Sequence, residues 1–163
     1  MKLIFILIFA LISFSCNAQI NGKSKAQIVT TDSNLVPDSG VALQFINEYV
    51  TFCSQQISLD SNWIKKNQLL TGKFKTTYNN LINSAIKSDP EIGLDFDPIL
   101  DAQDYPEQGF ELVNCDNKAG FITLKGKDWP DFLLVIKVVR QDNKWLVDGS
   151  GVINIPLNKR AER

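Results

Sequence analysis

Between Ser88 and Asn117 the chain carries nine acidic residues, Asp89, Glu91, Asp95, Asp97, Asp101, Asp104, Glu107, Glu111 and Asp116, and neither lysine nor arginine. Carboxylates at this density can hold a cation, move protons or attract a basic surface. The first option meets an obstacle at once. Aligning Asp95 and Asp97 with the first ligands of a helix–loop–helix calcium loop puts Ile99 at the fifth place, Leu100 where glycine is needed and Pro106 at the closing glutamate. An irregular oxygen site of Asp95, Asp97 and Asp101 is the cation geometry left open. Zinc is disfavoured, because the chain has no histidine and its cysteines are not spaced as ligand pairs. The expected metal is none.

Proton chemistry suffers from the same missing histidine. Without it there is no Ser-His or Cys-His nucleophile, and acid–base work falls to a carboxylate, lysine or tyrosine with a strongly shifted pKa. Glycine-rich phosphate loops are missing, and no basic patch interleaves with aromatics. No cofactor and no nucleic acid is therefore expected.

The third option draws on charge separation. A net charge of −1 conceals the acidic run, because the remainder of the chain beyond the leader holds sixteen basic and nine acidic residues. Such a field attracts a cation or a basic protein. Structural roles compete with this reading. Asp97 precedes Pro98, which suits a helix cap followed by proline at the first helical position, and Gln103 and Asp104 can satisfy loop amides. Trp129 sits on the connection Lys125 to Asp131; tryptophan is enriched in binding hot spots, though it also folds back over sheet edges. Asp95, Asp97, Asp101, Gln103, Asp104, Tyr105 and Trp129 are the expected ligand or partner contacts.

The elements that must position them follow from periodicity. Ala42, Phe45, Ile46, Tyr49, Cys53 and Ile57 predict a helix over 41–57, with Asp38 or Ser39 as its cap. A short helical turn over 62–67 follows. Thr71 caps a third helix through Lys87, with Phe74, Tyr78, Leu81, Ile82 and Ala85 as its buried stripe, and Ser88-Asp89-Pro90 ends it. Strands are predicted over 110–115, 120–125, 132–139 and 145–148, joined as hairpins across 116–119 and 141–144. The third strand is apolar on both faces and is expected to be central and covered on both sides. Helices followed by an antiparallel meander make an α+β domain. Cys53 and Cys115 form either a disulfide closing a long loop or two buried thiols.

The start of the chain reads as an export signal. Lys2, the apolar run Leu3 to Ile12 and the small residues around Cys16 and Ala18 have the required order, and the run is short for a membrane span. Cleavage after Ala18 releases a free chain; cleavage before Cys16 leaves that cysteine to carry a lipid. Residues 1–18 are thus a signal peptide, 19–40 a flexible linker, 41–156 one domain and 157–163 a tail. The expected location is the periplasm or the outer-membrane-anchored envelope.

The order of helices then strands, the segment Asp97-Pro98-Ile99-Leu100-Asp101-Ala102-Gln103-Asp104-Tyr105-Pro106 and the closing Trp145-Leu146-Val147-Asp148-Gly149 resemble an uncharacterised family of bacterial envelope lipoproteins. That family belongs to the nuclear-transport-factor-2-like superfamily. The resemblance spans roughly 41–156 and implies a curved sheet wrapped around helices as a cone with a pocket. It implies no single activity, since the superfamily hosts enzymes and binding modules alike. Some of those enzymes use an aspartate with a tyrosine in the cone, so the pair that the resemblance implies for testing is Asp101 or Asp104 with Tyr49 or Tyr78, which nothing in the spacing singles out. The sequence is read as a non-enzymatic envelope binding module whose acidic loop faces a cation or a basic protein, an inhibitor or immunity role being one form. The alternative is a small-molecule enzyme or ligand carrier using the cone.

Overall fold

The computed structural model describes residues 35–55 and 61–162. The expected signal peptide, Cys16 as the expected lipidation site and most of the expected linker lie outside the described residues. Three helices, α1 (Ser39–Gln55), α2 (Ser61–Lys66) and α3 (Gly72–Ser88), precede four strands, β1 (Phe110–Asp116), β2 (Phe121–Gly126), β3 (Leu133–Gln141) and β4 (Lys144–Ser150). The strands form one antiparallel sheet in the order β1-β2-β3-β4. This is the α+β class expected from the sequence.

Helices α1 and α3 begin where side-chain chemistry lets them. The Asp38 carboxylate accepts from the Gly40 amide at 2.8 Å ahead of α1. Thr71 caps α3 by accepting from the Phe74 amide at 3.0 Å, and its hydroxyl donates to Asp148 at 2.8 Å. Ala42, Phe45, Ile46, Tyr49 and Val50 are the buried face of α1, as its periodicity predicts. They meet Ile122 and Leu124 of β2 and Leu134, Ile136 and Val138 of β3 in one core. Phe45 and Phe74 cross edge to face at 5.7 Å, joining α1 to α3 in that layer.

Both hairpins have the predicted turn chemistry. Asp116 accepts from the Lys118 and Ala119 amides at 3.0 and 3.1 Å in the first. Asp142 and Asn143 close the second with φ of 48° and 63°, the left-handed pair that matches the twist of two-residue hairpins. β3 is interior, but it is not covered on both sides: Leu134, Ile136 and Val138 are buried while Leu133 is 36% exposed. Hydrophobic character on the second face is therefore only half-buried.

Two register shifts bend the sheet, one between Leu112 and Asn114 and one beside Asp148. The second re-aims Asp148, so that Val147, Asp148, Gly149 and Ser150 are all buried in succession. Both sheet edges carry bonds from outside the meander. Along β4, the Val147 amide donates to Leu69 O at 2.8 Å and the Thr71 amide donates to Val147 O at 3.0 Å. On β1, the Asn47 side chain of α1 accepts from the Phe110 amide at 2.7 Å and donates to its carbonyl at 3.3 Å. One carboxamide thus stands in for the peptide unit of a neighbouring strand. Gly109 is required beside it, since a Cβ there would lie 2.3 Å from Asn47 Oδ1.

Two expectations about the ends need correction. Pro37, placed in the flexible linker, is buried, and its carbonyl lies 3.9 Å from Cys115 Sγ. The segment after Pro156, expected to be a tail, forms a short 3-10 turn over Leu157–Lys159. Arg160 then donates to Ile155 O at 3.1 Å and Val152 O at 3.4 Å. Asn47→Ala is expected to lower stability by about 1–3 kcal/mol, because two backbone groups of Phe110 lose their partner. A urea midpoint equal to that of the parent shows that water replaces the side chain.

Candidate functional site

The acidic run is a built loop rather than a solvated strip. Asp89 begins it: its amide donates to Ala85 O at the end of α3, and its carboxylate accepts from the Glu91 and Ile92 amides at 3.1 Å each. Asp97 then pairs with Ala102 through two backbone bonds of 2.8 and 3.4 Å, closing a tight turn with Asp101 at φ 56°. Asp97 Oδ1 caps that turn by accepting from the Ile99 and Leu100 amides at 2.8 and 3.0 Å. Ile99 and Leu100 are fully buried, and Ile99 O accepts from Ser150 Oγ at 2.8 Å. Gln103 braces the turn from outside by donating to Asp95 O at 3.0 Å.

The second oxygen of Asp97 makes the shortest polar contact in this region, accepting from Tyr49 Oη at 2.6 Å. Tyr49 is 1% exposed and lies against Phe45 and Trp63. Burial, and then the charge of Asp97, hold its hydroxyl protonated far above the usual tyrosine range, so it stays a donor. Burial also raises Asp97, against the lowering effect of the Tyr49 bond and the two amides. Cys53 on α1 and Tyr78 on α3 are close enough to feel the same carboxylate. Burial first and Asp97 second push the thiol up to about 11 and the phenol up to about 12. Tyr105 is raised chiefly by burial as well.

This corrects the pairing that the resemblance implied. Tyr49 meets Asp97, not Asp101 or Asp104. Asp101 is half-buried on the turn and Asp104 is exposed. The signal was available in the flank of Asp97, where Pro98, Ile99 and Leu100 carry the turn into buried surroundings. Chemically the cluster is a proton store of low reactivity. Both oxygens of Asp97 are engaged, and a thiol raised this far is a poor nucleophile at neutral pH. Cys53 and Cys115 are free thiols, so the disulfide alternative is not realised. Among the described residues no three carboxylates or cysteines converge to hold a metal ion, Asp95, Asp97 and Asp101 included.

A cone interior is not shown either. The four-stranded sheet is open, and the helix–sheet layer is filled by Phe45, Phe74, Ile99, Phe110, Ile122 and Ile136, none more than 1% exposed. An open groove lies instead on α1, where Phe52 stacks on Trp63 of α2 at 5.3 Å. No family profile, curated protein or solved structure matches the chain. Its own geometry must therefore carry the functional reading.

The sequence singled out the acidic run and Trp129 separately; the structure joins them. The Asp128 carboxylate accepts from the Glu107 and Gln108 amides at 3.0 and 3.2 Å, and the Lys127 amide donates to Gly109 O at 3.0 Å. A Cβ on Gly126 would lie 2.3 Å from the Pro106 ring, so the two loops touch. Asp128, Asn47 and Asp148 were not identified as site-building residues from the sequence. Their partners are 20 or more residues away in the chain, beyond the reach of any local pattern.

Asp97→Ala is expected to cost about 2–4 kcal/mol, the sum of a lost cap and an orphaned buried hydroxyl. Asp97→Asn keeps an oxygen acceptor and should lose less; equal urea midpoints for the two variants would contradict this account. Alkali supplies a second test. The unfolded chain releases the Cys53 and Tyr78 protons from 9.0 and 10.0, while the fold retains them to about 11 and about 12. Stability from these groups is therefore complete below pH 9.0 and lost as pH rises through the higher values. The urea midpoint should fall across that window in the parent and fall less in the Cys53→Ala, Tyr78→Phe double variant.

Proposed function

We propose that this chain is an exported, non-enzymatic envelope module that binds a basic protein through its acidic segment. The observation that carries the reading is what eight of the nine carboxylates of that segment do, the ninth being the half-buried Asp101 of the turn. Asp89, Asp97 and Asp116 accept backbone amides of their own turns, and Glu111 pairs with Lys125 at 3.1 Å. Glu91, Asp95, Asp104 and Glu107 are exposed and, among the described residues, have no cationic partner. The turn carboxylates fix the backbone, and that backbone presents the exposed ones in one arrangement. A fixed negative surface suits complementary protein recognition better than catalysis.

Export is the second part of the proposal. Lys2, the apolar run Leu3 to Ile12 and Cys16 support a leader, with the lipidated cysteine as one anchor. No described helix is long and apolar enough to cross a membrane. Helices followed by a bent antiparallel meander support kinship with the envelope lipoproteins of the nuclear-transport-factor-2-like superfamily, and a cone-like curvature of the sheet belongs to the same proposal. An inhibitor of a basic toxin is one specific form.

Salt and neutralisation test the binding mode. Raising salt from 0.1 to 1 M shortens the screening length from about 10 Å to about 3 Å. Partners captured from an envelope extract should elute over that range. The variant Glu91→Gln, Asp95→Asn, Asp104→Asn, Glu107→Gln should retain the parent Tm and capture none of them. Retention of the same partners by this variant at 1 M salt would refute a charge-led interface.

A further inference from the structure

Trp129 is 45% exposed, yet its loop is among the most constrained in the fold. The Gly126 amide donates to Phe132 O and the Phe132 amide to Trp129 O, each at 3.0 Å, which closes the loop on itself. Asp128 and Lys127 tie it to residues 107–109 through the three bonds described above. The indole packs edge to face on Phe132 at 5.2 Å, and Phe132 packs on buried Phe110 at 5.8 Å. A large apolar side chain is therefore held about half exposed on a braced backbone. Such preorganisation removes much of the ordering cost that weakens exposed contacts.

The surroundings of the indole select a partner. The two joined loops, 107–109 and 126–132, contain Glu107, Asp128 and Asp131 against a single cation, Lys127. Both oxygens of Asp128 are engaged by amides. Glu107 and Asp131 are exposed, and among the described residues neither carboxylate is paired. An exposed aromatic face on joined loops that carry unpaired carboxylates matches a planar cation: guanidinium is weakly hydrated, stacks on aromatic rings and bonds carboxylates in a fork, which ammonium cannot do. A second copy of this chain is a poor occupant, because it would set the same carboxylates against each other.

We infer that Trp129, with Glu107 and Asp131 of the same joined loops, is the central docking contact for an arginine-bearing segment of a basic protein. This rests on the reading of the acidic segment as the partner-facing surface and adds the anchor and the side chain it receives.

Hexa-arginine and hexa-lysine peptides serve as probes, titrated into the full-length chain at low salt while the Trp129 indole N–H resonance is followed. Hexa-arginine should move that resonance and bind more tightly than hexa-lysine. Trp129→Ala should weaken hexa-arginine binding by about tenfold or more, with Trp129→Phe retaining most of the affinity, and Glu107→Gln with Asp131→Asn should flatten its salt dependence. Unchanged affinity in Trp129→Ala, or equal binding of the two peptides, overturns the Trp129 docking contact while leaving charge-led binding in place. Failure of the parent chain to bind either peptide overturns both.

Discussion

A carboxylate taken out of water into an apolar layer must have its lone pairs satisfied or be protonated, and Asp97 meets that demand from three directions. Its own turn supplies two amides and α1 supplies the Tyr49 hydroxyl. The same contacts decide where the acidic segment lies. Ile99 and Leu100 enter the core because the cap turns the chain there, and Ser150 and Val152 then fasten the turn to the end of the sheet through Ile99 O and Pro98 O. Nine negative charges would otherwise repel one another along a flexible connection. Here part of their number organises the backbone on which the rest are displayed.

The sheet presents the complementary problem, unsatisfied backbone at its margins. β4 is met by the segment before α3 and β1 by Asn47 of α1. Each solution recruits the helical layer, so helix placement and edge protection are one event. Asp148 illustrates the coupling: the bulge in β4 turns it inward, Thr71 donates to it at the start of α3, and Lys73 lies 3.9 Å away at the surface. Asn154 adds a second tie by donating to Asp148 O at 2.7 Å while accepting from Thr77 of α3 at 2.9 Å.

Local chemistry was legible in the sequence. The Thr71 cap, the apolar stripe of α1, both hairpin turns and the capping role of Asp97 all depend on residues a few places apart, and each was placed within two residues or fewer of its observed position. Contacts across the fold were not. Nothing in the spacing of Asn47 and Phe110, or of Tyr49 and Asp97, distinguishes them from neighbouring candidates until the helix is laid on the sheet. β3 was overread for a related reason: an apolar run reports what a strand tolerates on each face, and only the strand's surroundings decide whether the second face is covered. The expected tail failed differently, because polar residues such as Arg160 can anchor a chain end through backbone carbonyls without any hydrophobic signal.

Charge-led recognition and a rigid anchor do different physical jobs. Long-range attraction from exposed carboxylates raises the frequency of encounter and falls with salt, whereas an aromatic contact acts only once surfaces touch and governs how slowly they part. Asp128 links the two in this fold. By accepting the Glu107 and Gln108 amides it joins the acidic loop to the loop that carries Trp129, so the field and the anchor share one frame. Under the proposed reading, a partner steered by the first would arrive already in register with the second, because both sit on one hydrogen-bonded backbone.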